Sequence, residues 1–416
     1  MRRGGVAAID IGTTKVCTLV GGYDDQGRLR ITGYGVTTSR GMAKGLVDDV
    51  GRLTAAISAS VRAAERASNA KIVAATVGIG GAHIACLNSR GTVALPNLDK
   101  AITEDDVRRA LEGARTVAIP NNREILHALP RFYIIDGEES SGDPVGKYGH
   151  RLDVEAHIIT GAVTAIQNLS KCVEGAGVQV EGLVLAVVAA ADAVLDDEER
   201  SHGVVLVDIG GGTTDVAVIV EGAILHTAVL PVGGNNITND IVYGLRAPFS
   251  AAEAAKEIYG HALPSHVPPD ETFEIEAFGS ERQRTVSRRR LCEIIEARVE
   301  EILEMVRDEV NRSGCEELVS AGVVLTGGTA NLAGLAELAE RVLGMPARTG
   351  APNGVHQLDE TLENPAFSAS IGLLGWAVRE HDAVLQPSRL TGARPVEGRF
   401  RVLRRLTSLA RIMLPE

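Results

Sequence analysis

Two stretches of this 416-residue sequence carry residue types that could hold a charged ligand. Ala8-Ile9-Asp10-Ile11-Gly12-Thr13-Thr14 runs from apolar residues into an aspartate, a glycine and two hydroxyls. Leu206-Val207-Asp208-Ile209-Gly210-Gly211-Gly212-Thr213-Thr214 repeats the arrangement in the second half of the chain. Glycines let backbone N–H groups approach an anion, hydroxyls donate to it, and an aspartate at the end of a strand faces the accompanying cation. Two such loops facing each other would clamp a triphosphate. Competing templates fail: 142–148 lacks the spacing and the Ser/Thr of a P-loop, and Gly210-x-Gly212 meets Asp215 where a dinucleotide fingerprint needs its third glycine. One glycine turn alone would be structural; its duplication argues for a site. A third glycine turn, Thr326-Gly327-Gly328-Thr329, follows another apolar run, and an ordinary strand-to-helix turn accounts for it equally well.

Each duplicated turn must sit between two strands, because the apolar pattern resumes after it at 16–20 and at 216–220. That predicts a β-hairpin in each half. Helical periodicity appears at about 48–66, 103–115, 251–259 and 287–312. The reading is mixed α/β in two related lobes. Between the first hairpin and its counterpart, 82–160 has strand-like segments at 84–87, 125–135 and 152–159 and a helix opened by Thr103-Glu104-Asp105, the size of a small inserted subdomain. Within it, 136–144 reads as a loop.

Composition narrows the class. Hydrophobic residues at 45% and charged residues at 23% exclude disorder and collagen. With aromatics at 3%, the core must rest on Ala, Val, Leu and Ile. Lys plus Arg number 42 against 54 Asp plus Glu, a net charge of −12, which argues against nucleic acid as a partner of the whole surface. The apolar stretch after Arg2-Arg3 stops at Asp10, shorter than a signal-peptide core, and the apolar run 183–191 is under half of the roughly 20 residues a spanning helix requires. Five cysteines without a Cys-x-x-Cys pair read as free thiols of a reducing cytoplasm.

The end of the chain has its own pattern. After a Pro/Gly-containing linker at 386–395, Val402, Leu403, Leu406, Leu409, Ala410 and Met413 share one arc at roughly 100° per residue, with Arg401, Arg404, Arg405 and Arg411 opposite and Phe400 and Ile412 as the exceptions. Arginines without any acid from 399 to 411, on an acidic protein, suit a helix lying on anionic lipid, with Arg401, Val402, Leu403, Arg404, Arg405, Leu406, Leu409 and Met413 making the contact. A terminal helix packed on its own domain or on a partner is the alternative.

The order of turns, with the helical run 368–375 after them, matches the nucleotide site of the actin, sugar-kinase and heat-shock-chaperone superfamily. More narrowly, the chain resembles the FtsA family of bacterial cell-division proteins from about residue 6 to 378. The resemblance is carried by Ala118-Ile119-Pro120 with Arg123-Glu124-Ile125-Leu126-His127, by Asp143-Pro144-Val145-Gly146, by His157-Ile158-Ile159-Thr160-Gly161, by Gln167-Asn168-Leu169, by Pro231-Val232-Gly233-Gly234 with Ile237-Thr238-Asn239-Asp240-Ile241, and by 286–302. It implies an α/β, actin-like two-lobed fold of duplicated ribonuclease-H-like domains with an inserted small α+β subdomain and a C-terminal amphipathic helix. The implied divisions are a first lobe at 5–81, 161–200 and 361–383, an insert at 82–160, a second-lobe core at 201–231 and 315–360 around a distal subdomain at 232–314, a linker at 384–398 and the membrane helix at 399–416.

The resemblance also implies ATP with Mg²⁺. Asp10 and Asp208 would lie near the metal, through water, and Gly12, Thr13, Thr14 and Lys15 would join Gly210, Gly211, Gly212, Thr213 and Thr214 on the phosphates. Gly327 and Gly328 would lie beside the nucleoside, and Gly234, Glu253, Lys256 and Arg289 would line the adenosine pocket. For Glu253 and Lys256 an exposed helix face is an equal explanation. Implied partners are the C-terminal peptide of the tubulin-like protein FtsZ on 232–314, further copies of the chain in a filament, later division proteins and anionic lipid, at the septum on the cytoplasmic face of the membrane. Relatives commonly carry Glu-Pro in the segment matching 185–190, where this chain has Ala186. Losing a water-orienting group there predicts slow hydrolysis with binding retained, Asp215 being the remaining candidate for that catalytic role beside Asp10 and Asp208. The rival readings are a small-molecule kinase of the same superfamily and another actin-like adaptor such as PilM.

Overall fold

A computed structural model describes residues 5–385, except residue 25, 96–98, residue 141, 279–282 and 357–358. The amphipathic segment 399–416, with its eight membrane-contact candidates, and the linker from 386 onward lie outside the described residues.

Both duplicated turns lie in hairpins at the centre of a five-stranded sheet. Val6–Ile11 pairs antiparallel with Lys15–Tyr23, which pairs with Leu29–Thr38; on the other side come Ala74–Ile79 and Gln179–Leu185, both parallel. The second lobe repeats the order. Val204–Ile209 pairs antiparallel with Thr214–Val220, then Ala223–Leu230 follows, and Val323–Thr326 and Ala347–Thr349 are parallel on the far side. Central strands covered on both faces need apolar side chains in succession rather than alternation, which is why Val204, Val205, Leu206 and Val207 are all fully buried.

Helix ends follow their capping residues. Asp49 accepts the Arg52 N–H, so the first helix runs Val50–Ser68; Thr103 and Asp106 form a reciprocal cap before Glu104–Arg115; Ser287 caps Arg288–Ser313. The apolar run 183–191 divides into the end of strand Gln179–Leu185 and helix Ala186–Val194. This helix packs so closely on helix Ser368–Leu385 that a Cβ on Gly372 would lie 1.8 Å from the Ala189 carbonyl oxygen. Among the described residues no helix is long and apolar enough to cross a membrane.

The insert is a four-stranded sheet, ordered Ala85–Ala94, Arg151–Ala162, Arg123–Ile135, Glu138–Ser140, with helix Glu104–Arg115 packed against it. The sequence reading of 136–144 as a loop needs correction. Asp136 and Gly137 both take positive φ, reversing the chain so that Glu138–Ser140 pairs with Tyr133–Ile135. The insert also touches the second lobe. His157 bonds the Thr227 hydroxyl at 2.9 Å and the Cys86 thiol donates to the Thr227 carbonyl at 3.1 Å. All five cysteines are free.

Candidate nucleotide site

The two duplicated turns are built alike. Gly12 N–H donates to the Lys15 carbonyl and Gly210 N–H to the Thr213 carbonyl, each at 2.9 Å. They also face each other: a Cβ on Gly211 would lie 2.4 Å from Thr14 Cγ2, and one on Gly212 would lie 2.6 Å from the Thr13 hydroxyl. Glycine in one turn is therefore required by threonine in the other. The fold brings Gly12, Thr13, Thr14 and Lys15 together with Gly210, Gly211, Gly212, Thr213 and Thr214. The Thr214 hydroxyl points away from the gap and donates to the Val232 carbonyl at 2.9 Å.

Three carboxylates gather where the turns meet. Asp10 accepts a 2.6 Å hydrogen bond from the Ser370 hydroxyl and lies 3.9 Å from the Lys15 ammonium, which itself donates to the Ala366 carbonyl. Asp208 packs against the turn of Gly327, where φ is 88° and a Cβ would meet Asp208 Oδ1 at 2.2 Å. Desolvation, reinforced by Asp10 and opposed by Lys15, pushes the Asp208 carboxyl up to about 6. Asp215 is 7% exposed and its Oδ1 has no partner among the described residues. Burial first, then the charges of Asp208 and Asp10, holds its carboxyl well above the usual range.

Such a cluster fits a divalent cation. Buried carboxylates in mutual repulsion, with one ammonium nearby and one orphaned oxygen, are stabilised by added positive charge. Among the described residues no three His, Cys, Asp or Glu side chains are arranged to ligate a metal directly. Mg²⁺ keeps much of its water shell and takes one or two carboxylates plus phosphate oxygens, so the residues present suit a hydrated ion.

On the second lobe, Gly234 opens helix Gly234–Leu245 against the second turn: its N–H donates to the Gly210 carbonyl at 2.9 Å, and Asn235 N–H donates to Gly211 at 2.8 Å. Lys256 reaches the same helix end, donating to Gly234 at 3.3 Å, Thr238 at 2.9 Å and both Glu253 oxygens at 2.8 Å. Glu253 also accepts from Thr238. The Lys256 side chain is only 13% exposed, so these two residues brace the helix start rather than decorate a solvated face. Gly328 lies near Ala366, and Thr329 donates to the Gly210 carbonyl at 3.3 Å. Arg289 donates to the Val267 carbonyl at 2.9 Å, and its buried Nε has no partner among the described residues. Among the described residues no hydrogen bond joins Arg289 to the turns. Ala186 opens helix Ala186–Val194 directly after Leu185, whose N–H donates to His127 Nε2 at 3.0 Å.

Sequence reasoning did not single out Ser370 or Asn235. Asn235 lay unremarked beside the Pro231-Val232-Gly233-Gly234 match. For Ser370 the available signal was a pair of hydroxyls, Ser368 and Ser370, inside an otherwise apolar helix, where buried polar groups need partners.

Two sheets of one strand order, with hairpin turns opposed across a carboxylate-lined gap, define the actin-like class. Among solved structures, the chain is similar to the PilM–PilN type IV pilus biogenesis complex at a TM-score of 0.64 with 15% identity, covering 90% of this chain and 98% of that one. It is also similar to MreB5 of Spiroplasma citri bound to ADP, at a TM-score of 0.56 with 12% identity, covering 92% and 99%. Residues 205–372 match the family Cell division protein FtsA, and residues 81–160 match the SHS2 domain inserted in FTSA. Cell division protein FtsA of Pseudomonas aeruginosa is 41% identical over 375 residues, 90% of this chain and 89% of the relative. That of Neisseria meningitidis is 41% identical over 383 residues, 92% of each. The chain belongs to the FtsA family of cell division proteins.

Proposed function

We propose that this protein binds Mg²⁺-ATP between its lobes, polymerises on the inner face of the membrane and holds FtsZ filaments there during division. The observation that carries the reading is the reciprocal fit of the two turns, Gly211 on Thr14 and Gly212 on Thr13, around Asp10, Asp208 and Asp215. Backbone N–H groups and hydroxyls of the turns would hold the phosphates, Asp10 and Asp208 the hydrated metal, and Gly234 with the Lys256–Glu253 pair the adenosine side. The metal, when bound, would neutralise phosphate charge. The similar MreB5 structure with ADP supports a nucleotide in a fold of this kind. Ala186 at the helix start supplies no group to orient water, which supports slow hydrolysis, with Asp215 the remaining carboxylate for that task.

The tail at 399–416 would attach the protein to anionic lipid, and a filament would gain avidity by presenting many tails. For the FtsZ peptide, the distal part of the second lobe presents exposed aromatic surface: Tyr243 is 82% and Phe278 66% exposed, and Phe249 is exposed as well. Phe278 N–H bonds the carbonyl of Arg246, the cap of the helix bearing Tyr243, so they share one corner. Later division proteins are assigned to the insert. Sedimentation with anionic liposomes, of the full chain and of a version ending at Gly398, with and without ATP and FtsZ, tests this. Lipid binding should need the tail, and FtsZ should sediment only with the full chain. Undiminished binding by the truncated form removes the tail assignment, and absence of heat on mixing Mg²⁺-ATP in calorimetry removes the nucleotide assignment.

A further inference from the structure

Asp10 differs from the other two carboxylates in having a hydroxyl devoted to it. Ser370 is 1% exposed on helix Ser368–Leu385, and its hydroxyl donates to Asp10 Oδ2 at 2.6 Å. The thiol of Cys17, the residue paired with Asp10 across the hairpin, lies beside the same serine. Among the described residues Asp10 Oδ1 accepts no hydrogen bond, and no side-chain donor bonds Asp208. Oδ1 faces Gly78, where a Cβ would lie 3.6 Å away. The segment before Ser370 is tied to both lobes. The Ser368 and Thr326 hydroxyls lie 2.7 Å apart, Gly327 N–H donates to the Pro365 carbonyl at 3.2 Å, and Lys15 donates to Ala366.

We propose that Ser370 is a positioning residue for Asp10: by holding Oδ2 it fixes the rotation of the carboxylate and leaves Oδ1 as the acceptor for a hydrated divalent cation. The inference rests on the nucleotide reading above and deepens it. Ser370 does not line the phosphate turns, so its loss acts on the cation before it acts on the nucleotide. A hydrogen bond to a charged group is strong enough to change cation affinity by about tenfold.

The test titrates Mg²⁺ at a fixed, saturating concentration of a fluorescent ATP analogue, then titrates the analogue at saturating Mg²⁺, for the wild type, Ser370→Ala and Ser370→Thr. Ser370→Ala should raise the half-saturating Mg²⁺ concentration about tenfold and leave analogue affinity at saturating Mg²⁺ within about twofold. Ser370→Thr, which keeps the hydroxyl, should restore Mg²⁺ dependence to within about threefold of wild type. Thermal melts of all three confirm folding. An unchanged Mg²⁺ requirement in Ser370→Ala, or a loss of analogue affinity that saturating Mg²⁺ does not recover, overturns the positioning role while the nucleotide reading stands. A wild type that binds no analogue at any Mg²⁺ concentration overturns both.

Discussion

The two turns are one design with opposite fillings. From the aspartate to the residue paired with it across the hairpin, the first runs Asp10 to Cys17 and the second Asp208 to Asp215 in the same register. Where the first turn carries Thr13 and Thr14, the second carries Gly211 and Gly212, and those threonines fill the space that side chains on the glycines would need. Where the first carries Lys15, the second has Thr213; where the first closes on a neutral thiol, the second closes on a third carboxylate. Burial, with Asp10 adding to it, pushes the Cys17 thiol up to about 12, so it contributes no charge. The first lobe thus supplies the cation and the bulk, the second the extra acid and the room. A duplicated fold can make one asymmetric site because only complementarity across the gap is constrained, not likeness.

Filling the room should break that complementarity most severely. Gly211→Val would push a branched side chain against Thr14 and should weaken Mg²⁺-ATP binding by about a hundredfold in calorimetry. Pairing it with Thr14→Ser, which removes the clashing methyl and keeps the hydroxyl, should recover part of the loss, whereas an unaffected single variant would mean the turns do not need to meet.

The contrast extends to charge across the lobes, since the insert meets the second lobe through neutral imidazole rather than acid. His157 lies between Asn88 Oδ1 and the Thr227 hydroxyl, and burial, then the charges of His226, Arg131 and His127, lowers its value from 6.5 to about 3. Between those values the unfolded chain holds a proton that the folded protein does not, so stability present above pH 6.5 is lost as pH falls toward 3. Denaturant titrations at pH 7.5 and pH 5 should show wild type losing about 2 kcal/mol more than His157→Gln. Equal losses would show that the ring is not held neutral.

Removing the extra acid makes the second turn more like the first. Asp215→Asn should raise the melting temperature by about 2–4 °C, because a repelled, desolvated carboxylate is destabilising at neutral pH. It should also slow phosphate release about tenfold if this oxygen orients water. A faster or unchanged rate would return Asp215 to a purely structural place. Ala186→Glu is the mildest change, adding an acid at a helix start where the dipole favours one. It should speed phosphate release several-fold, and rapid release by wild type would contradict the expected slow turnover.

Much of the site was legible as pattern. The repeated Asp-Ile-Gly turns, the hairpins around them and the capped helices depend on neighbours close in sequence, where backbone conformation and apolar spacing decide the outcome. The strand Glu138–Ser140 was hidden by turn-forming residues on either side, since pairing with Tyr133–Ile135 outweighed its weak local preference. The Glu253–Lys256 pair read equally well as a solvated face, because a charge pattern along a helix does not reveal what the helix packs on.

The sequence by itself determined that this protein has two equivalent acid-and-glycine turns, in strands too apolar to lie anywhere but in a core. Only the tertiary structure decided that the turns meet, that Ser370, far along the chain, bonds Asp10, and that Asp215 keeps a buried oxygen without a partner among the described residues. The physical reason is one of range. Turns and strands follow from local torsional and hydrophobic preferences, whereas distances of a few ångströms between lobes come from how whole sheets and the crossing helices Ala186–Val194 and Ser368–Leu385 pack.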